Sequence, residues 1–251
     1  TDLEVCLKTT QNADLVINLA AESHVDNSFS NSIIFSKSNE LGTHTLMEAC
    51  RQNQVKKIIH VSTDEVYGEN IKDLFKEEDR LNPTNPYSAS KAAAEMIVKS
   101  YFTSFNLPVI VVRANNIYGI RQFPEKIIPK FILRCLNNLN LEIHGDGSNQ
   151  RHYLAANDFA LALEMLCEKG RLGEAYNIAS DIELTNIEVA NLIKGYFPKS
   201  TNTIEFVTNR PFNDSRYAVD DSKLRNLGWE PKKSLTKDLP EIIEWYKAWT
   251  I

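Results

Sequence analysis

Three short runs along the chain are dominated by branched apolar residues: Leu15-Val16-Ile17-Asn18-Leu19-Ala20, Ile58-Ile59-His60-Val61 and Val109-Ile110-Val111-Val112. None alternates polar with apolar positions, which predicts strands buried on both faces, as in a parallel sheet. Between them the spacing predicts helices over about 33–53, with Leu41, Thr45, Met47 and Ala49 near the middle, and over about 86–105. In the second, Asn85 suits the N-cap and Pro86 the first helical position. Ala89, Ala93, Met96, Ile97, Tyr101 and Phe105 recur at three- and four-residue steps and predict its core stripe. Tyr87, Lys91 and Glu95 fall on a different face, one turn apart from each other. Strand, helix, strand, helix, strand predicts an α/β fold: a doubly wound parallel sheet with right-handed crossovers.

Beyond Val112 the pattern changes. Pro124 and Pro129 bracket an irregular stretch, and Pro129 opens a helix to about Leu136. His144-Gly145-Asp146-Gly147-Ser148 predicts a turn, Phe159 to Cys167 a helix, and Thr185-Asn186-Ile187-Glu188 a capping box that starts a helix to about Phe197. Leu239 to Trp249 predicts a last amphipathic helix, with Ile242, Ile243, Tyr246 and Trp249 on one stripe. The expected organisation is a sheet domain over 1–120 and a smaller lobe over 121–251, with a return to the sheet around 150–180.

Composition narrows the class. A chain of 251 residues, 43% hydrophobic and 24% charged, has the profile of a globular protein with a sizeable core. A net charge of -5 argues against a broad nucleic-acid or anionic-membrane surface, though not against local basic spots for a phosphate. Cys6, Cys50, Cys135 and Cys167 form no CxxC pair and no Cys/His metal spacing, so thiols in a reducing, cytoplasmic setting are expected, with no metal. No apolar run approaches the ~20 residues that span a bilayer. Thr1-Asp2-Leu3-Glu4 lacks the features of a signal peptide.

The chemistry concentrates in 58–91. Ser62-Thr63-Asp64-Glu65 follows the second strand, where a parallel sheet opens its ligand crevice. Tyr87-Ser88-Ala89-Ser90-Lys91 opens the next helix. A free phenol titrates near ~10, and an ammonium one turn away favours the phenolate and draws it toward a useful value. Adjacent carboxyls divide acid and base work when their environments differ. Each signal has an ordinary reading too: a solvent-facing Tyr/Lys pair, a solvated acidic loop. Ala20-Ala21-Glu22-Ser23-His24 puts small residues after the first strand, fit either for close ligand approach or for close packing; His24 itself suits a hydrogen-bonded structural role. Arg151 and Arg210 lie in polar stretches, as phosphate clamps or as surface arginines.

Together these stretches resemble the extended short-chain dehydrogenase/reductase family, and within it the nucleoside-diphosphate-glucose 4,6-dehydratases, those acting on dTDP-glucose most of all. The resemblance is carried by Leu19-Ala20-Ala21-Glu22-Ser23-His24-Val25-Asp26, Ser62-Thr63-Asp64-Glu65-Val66-Tyr67-Gly68, Asn85-Pro86-Tyr87-Ser88-Ala89-Ser90-Lys91 and Asn116 before Tyr118-Gly119. It continues through Phe123-Pro124-Glu125-Lys126-Ile127-Ile128-Pro129, Gln150-Arg151, Tyr176-Asn177-Ile178 and Asn209-Arg210-Pro211. The Thr-Asp-Glu triplet is the specific part, since it separates dehydratases from sister 4-epimerases. One departure is large. The family's opening strand, glycine-rich GxGxxG turn and acidic residue do not precede Leu15, so the sequence is expected to start roughly 50–60 residues late, by about two strand–helix units.

The resemblance implies a Rossmann-like NAD domain, incomplete at its N-terminus, and a sugar-nucleotide lobe. It implies that Tyr87, helped by Lys91 and Thr63, deprotonates the sugar 4-hydroxyl, that Glu65 takes the C5 proton, and that Asp64 protonates the departing 6-hydroxyl. Leu19, Ala20, Ala21, Glu22, Ser23, Ser38, Tyr87, Lys91 and Ile117 would line NAD. Ser23, Thr63, Asn116, Glu125, Lys126, Arg151, Asn177, Asn209, Arg210 and Asp214 would hold a dTDP- or UDP-glucose. A homodimer through the helices at about 33–52 and 86–105 is expected. The alternatives are a 4-epimerase of the same fold and a non-catalytic sugar-nucleotide binder.

Overall fold

A computed structural model describes residues 1–249; the last two positions of the lobe expected over 121–251, Thr250 and Ile251, lie outside the described residues. The chain begins with α1 (Leu3–Thr10), β1 (Leu15–Asn18), α2 (Val25–Ser30), α3 (Ser32–Phe35), a π-helical segment (Ser36–Leu41) and α4 (Gly42–Gln52). It continues with β2 (Lys57–Thr63), a 3₁₀ turn (Asp64–Tyr67), α5 (Pro86–Phe105), β3 (Val109–Ala114), β4 (Asn116–Tyr118) and α6 (Ile127–Leu136). Then follow β5 (Leu141–His144), β6 (Gln150–Ala155), α7 (Ala156–Lys169), β7 (Ala175–Ile178), β8 (Glu183–Thr185), α8 (Asn186–Gly195), β9 (Ile204–Val207), α9 (Ser222–Arg225) and α10 (Leu235–Ala248).

The main sheet has the order β1-β2-β3-β7, all parallel, with Ile17 beside Ile59, Ile59 beside Ile110 and Val112 beside Tyr176. Helices cover both faces, as the continuous apolar runs predict. On one, Val16, Ile58 and Val109 pack with Met47, Val98 and Tyr101 of α4 and α5. On the other, Ile59, Ile110 and Val112 meet Phe159, Leu163 and Leu166 of α7. The chain returns to the sheet through α7 and β7. A second core joins α6, β5, α8 and α10 through Phe131, Ile132, Leu141, Ile193, Leu239 and Ile243. Two smaller sheets, β4-β6-β8 and β5-β9, connect this lobe to the first.

Two expectations are corrected. β1 is not buried on both faces: it is an edge strand, and the α7 cluster takes no side chain from it, which leaves Leu15 and Ile17 exposed. The stripe on α5 is also rotated. Ala89, Met96 and Phe105 are exposed, whereas Tyr87, Lys91 and Glu95 face inward with Val98. The charges of Lys91 and Glu95 are met by specific partners, which makes a buried face read like a solvated one. Lys91 Nζ donates to the Val61 carbonyl at 2.7 Å. Glu95 accepts from Arg113 Nε and Nη2, and Arg113 also donates to Tyr67 OH at 2.6 Å.

Local chemistry fixes the ends of the site elements. Asn85 Oδ1 accepts from Ser88 N while Ser88 Oγ accepts from Asn85 N, a capping box that starts α5 where the sequence predicts. The 3₁₀ turn closes on Gly68 at φ +82°, where an added Cβ would meet the Asn82 carbonyl oxygen at 2.4 Å. The helix expected over 33–53 is continuous from Ser32 to Gln52 but passes through the π-helical segment. That bulge turns Asn39 inward. Its Oδ1 accepts from Glu22 N at 2.8 Å and its Nδ2 donates to Glu22 O and Ser90 Oγ, pinning the loop after β1.

Candidate active site

The carboxyl ends of β1, β2 and β3 and the start of α5 open onto one cleft of about 370 Å³, closed on its far side by β4–α6, β5, β6 and the 210–217 segment. Thr63 ends β2 and caps the 3₁₀ turn, its Oγ accepting from Glu65 N at 3.3 Å and donating to Asp64 Oδ1 at 3.2 Å. Glu65 Oε2 accepts from Asn85 Nδ2 at 3.4 Å and lies 3.4 Å from Tyr217 OH, whose one proton goes to Asp214. The residue that caps α5 thus also touches Glu65, linking the start of the Tyr87 helix to that carboxyl. Tyr87, Lys91, Thr63 and Glu65 all line the cleft. Asp64 stands directly behind the wall, its Oδ2 accepting from Asn115 Nδ2 at 2.7 Å.

The other expected residues divide. Leu19, Ala21, Ser23, Asn116, Ile117, Glu125, Lys126, Arg151, Arg210 and Asp214 line the cleft. Ala20, Glu22, Ser38 and Asn209 lie off its wall. Asn177 is turned away: fully buried, its Oδ1 accepts from Tyr67 OH while its Nδ2 donates to the Phe75 and Asp220 carbonyls. It secures the 69–83 segment instead. The two halves are tied together at the cleft mouth. Lys126 Nζ donates to the Ser23 carbonyl, Asn27 to Glu125, and Arg210 pairs with Asp26 at 2.5 Å. His24 lines the cleft beside Asp26.

Tyr217 is the largest omission. Its hydroxyl donates to Asp214, which also accepts from Thr84 at 2.8 Å, and the Arg151 guanidinium lies 4.5 Å from its ring centroid. It sits 152 residues from Glu65, and no local pattern marks it. Asn115, Gln122 and Tyr153 were missed as well; Asn115 adjoins the recognised Asn116 and was the one within reach.

Burial, and then the Asp64 charge, raise the Glu65 carboxyl to about 7. Burial raises Asp64 too, against the opposing bonds from Asn115 and Thr63. Lys91 is lowered by burial to about 8, with Glu95 opposing. Lys91 was expected to draw the Tyr87 phenol down. Here burial, then Glu65, push the phenol up, and Thr63 pulls the other way. Lys91 spends one donor on the Val61 carbonyl.

The Glu65 shift makes a stability prediction. The folded carboxyl holds its proton to about 7 while an unfolded glutamate releases it near 4.5. Stability present below 4.5 is therefore lost as pH rises through 7, about 3 kcal/mol over the window. Glu65→Gln carries no such charge. Its melting temperature relative to wild type is expected to climb between pH 5 and pH 8; a difference that ignores pH removes the raised carboxyl from the account.

Residues 2–242 match the family model described as GDP-mannose 4,6 dehydratase. The chain is 50% identical over 250 residues to an Arabidopsis thaliana trifunctional UDP-glucose 4,6-dehydratase/UDP-4-keto-6-deoxy-D-glucose 3,5-epimerase/UDP-4-keto-L-rhamnose-reductase. That match covers 98% of this chain and 38% of the relative, so the chain spans about two fifths of its length. The Streptomyces venezuelae dTDP-glucose 4,6-dehydratase, crystallised with NAD bound, superposes with a TM-score of 0.94 at 34% identity, covering 98% of this chain and 77% of that one. The Bacillus cereus UDP-glucuronic acid 4-epimerase, in complex with UDP-glucuronic acid and NAD, superposes at 0.92 with 26% identity, covering 99% and 80%.

Proposed function

Since the chain belongs to the GDP-mannose 4,6-dehydratase family, we propose that it acts as an NAD-dependent nucleoside-diphosphate-glucose 4,6-dehydratase, a hydro-lyase yielding the 4-keto-6-deoxy sugar nucleotide. The observation that carries this reading is the meeting of Glu65, Tyr87 and Lys91 on one cleft wall with Asp64 immediately behind it. A 4-epimerase shares the fold but has no need of a second acid and base, so the buried carboxyl pair favours elimination.

The cofactor fits on this chain's own groups. Lys91 Nζ has two donors left after Val61, the small Ala21 and Ser23 follow β1 on the sheet side, and Leu19 and Ile117 add apolar surface to the cleft. NAD, when bound, supplies the hydride acceptor at C4 and the donor at C6. Tyr87, as the phenolate that a nearby Lys91 ammonium favours against the burial that opposes it, takes the 4-hydroxyl proton, with Thr63 beside it. Glu65, with its carboxyl near 7, is a base matched to neutral pH and removes the acidified C5 proton. Asp64 is left to protonate the departing 6-hydroxyl, the role the family resemblance gives it; burial raises its carboxyl while the bonds from Asn115 and Thr63 oppose.

Ser23, Thr63, Asn116, Glu125, Lys126, Arg151, Arg210 and Asp214 line the part of the cleft that would hold the sugar nucleotide. The substrate class is dTDP- or UDP-glucose, and 50% identity to a UDP-glucose 4,6-dehydratase favours uridine. A homodimer would use the exposed apolar side chains on the 32–52 and α5 helices: Ile33, Leu41, Met96 and Phe105.

Incubation with NAD and UDP-glucose or dTDP-glucose is expected to produce the alkaline absorbance of a 4-keto sugar nucleotide. A 4-epimerised sugar without that absorbance would establish the epimerase, and binding without turnover the non-catalytic reading.

A further inference from the structure

Asn115 is the corner at which the chain leaves the main sheet. β3 ends at Ala114 beside β7, and β4 begins at Asn116 beside β6. The residue between them is buried and bonded on three sides. Its backbone N–H donates to the Ile178 carbonyl at 3.1 Å, its Oδ1 accepts from Ser180 N at 3.3 Å, and its Nδ2 donates to Asp64 Oδ2 at 2.7 Å. The Ser180 carbonyl in turn accepts from His152 Nδ1 at 2.9 Å. His152 Nε2 lies 3.6 Å from Glu183, which Arg216 holds at 2.6 Å. These bonds fix which end of the amide meets Asp64. A flipped side chain would set its oxygen against the carboxylate and its NH2 against the Ser180 N–H, losing both bonds.

This fixed donor bears on the acid in the reading given under Proposed function, on which the inference rests. An acid that protonates a departing hydroxyl becomes a carboxylate, and a donor aimed at it favours that charged product. Burial holds the proton on Asp64, and the Asn115 bond opposes burial more than any other contact does. Thr63 Oγ donates to the other oxygen, Oδ1, at 3.2 Å. A carboxyl has about four lone-pair sites, so it can carry a proton with both donors in place. The charged and titratable groups that face Asp64 are Glu65 on its own turn, Tyr87 on α5, and Arg151 and His152 on β6. We propose that Asn115 is a positioning residue for the elimination step, holding the Asp64 carboxyl behind the cleft wall and easing the release of its proton to the 6-hydroxyl.

Asn115→Asp tests this with little change of shape. One oxygen still accepts from Ser180 N, while the other faces Asp64 with no N–H to give. Two carboxyls in contact hold a proton more tightly than either alone. In single turnovers with NAD and UDP- or dTDP-glucose, reduced cofactor is expected to appear at a rate within about twofold of wild type. Its decay to product is expected to be about tenfold slower. Elimination fails as pH rises through the acid's pKa, so raising that pKa moves the alkaline limb of the decay rate upward, by about one pH unit. Asn115→Leu removes the donor without adding a charge and is expected to move both readouts the same way; should it fail to fold, Asn115→Asp decides alone. Cofactor reduction and decay slowed by one common factor, with the limb unmoved, make Asn115 a structural corner and overturn the proposal. Decay at the wild-type rate in Asn115→Asp overturns it as well. A wild-type chain that forms neither reduced cofactor nor 4-keto product removes the dehydratase reading itself, and this inference with it.

Discussion

The double variant Asp64→Asn/Glu65→Gln is expected to lose about 10⁴-fold or more in 4-keto product formation while still reducing bound cofactor. Both replacements are close in shape, and the surrounding donors remain: Asn115 toward position 64 and Asn85 toward position 65. What disappears is a base near pH 7 and a second buried carboxyl in the same small volume. Oxidation at C4 needs neither, because that proton goes to Tyr87. Single-turnover spectra should show reduced cofactor accumulating with substrate and no alkaline chromophore. Product at near-wild-type rate would take elimination away from this pair.

That the pair belongs to a site was legible because its chemistry is local. Thr63, Asp64 and Glu65 are consecutive, Tyr87 and Lys91 are one turn apart, and a strand end and a helix start bring the two groups together. The same local character made the N-cap at Asn85 and the capping box at Thr185 readable. Contacts of long sequence separation were not. Tyr217 reaches Glu65 across 152 residues, and its short tyrosine-plus-charge surroundings resemble many others. The resemblance places Asn177 on the substrate, but its hydrogen bonds go to Tyr67 and two loop carbonyls. The orientation of α5 failed for a related reason. Periodicity counts apolar residues, whereas this helix buries a lysine and a glutamate because Val61 and Arg113 were there to receive them.

Tyr87→Phe should stop the reaction one step earlier than the carboxyl variants, and the difference between the two is diagnostic. The ring would stay in its edge-on contact with Phe35, 6.2 Å between centroids, so folding is expected to be intact. The phenolate oxygen that accepts the 4-hydroxyl proton is gone, and neither Thr63 nor Lys91 replaces it: Thr63 is committed to capping Glu65, and Lys91 enters as a cation whose lone pair is free only above about pH 8. Cofactor reduction and product formation should therefore fall together, by about 10³–10⁴-fold, at neutral pH. Since an oxidised C4 is what acidifies the C5 hydrogen, an intact Glu65 has nothing to act on in this variant. If Tyr87→Phe instead reduced cofactor at the wild-type rate and stalled only at elimination, the phenol would belong with the carboxyls and the first proton acceptor would have to be sought elsewhere on the wall.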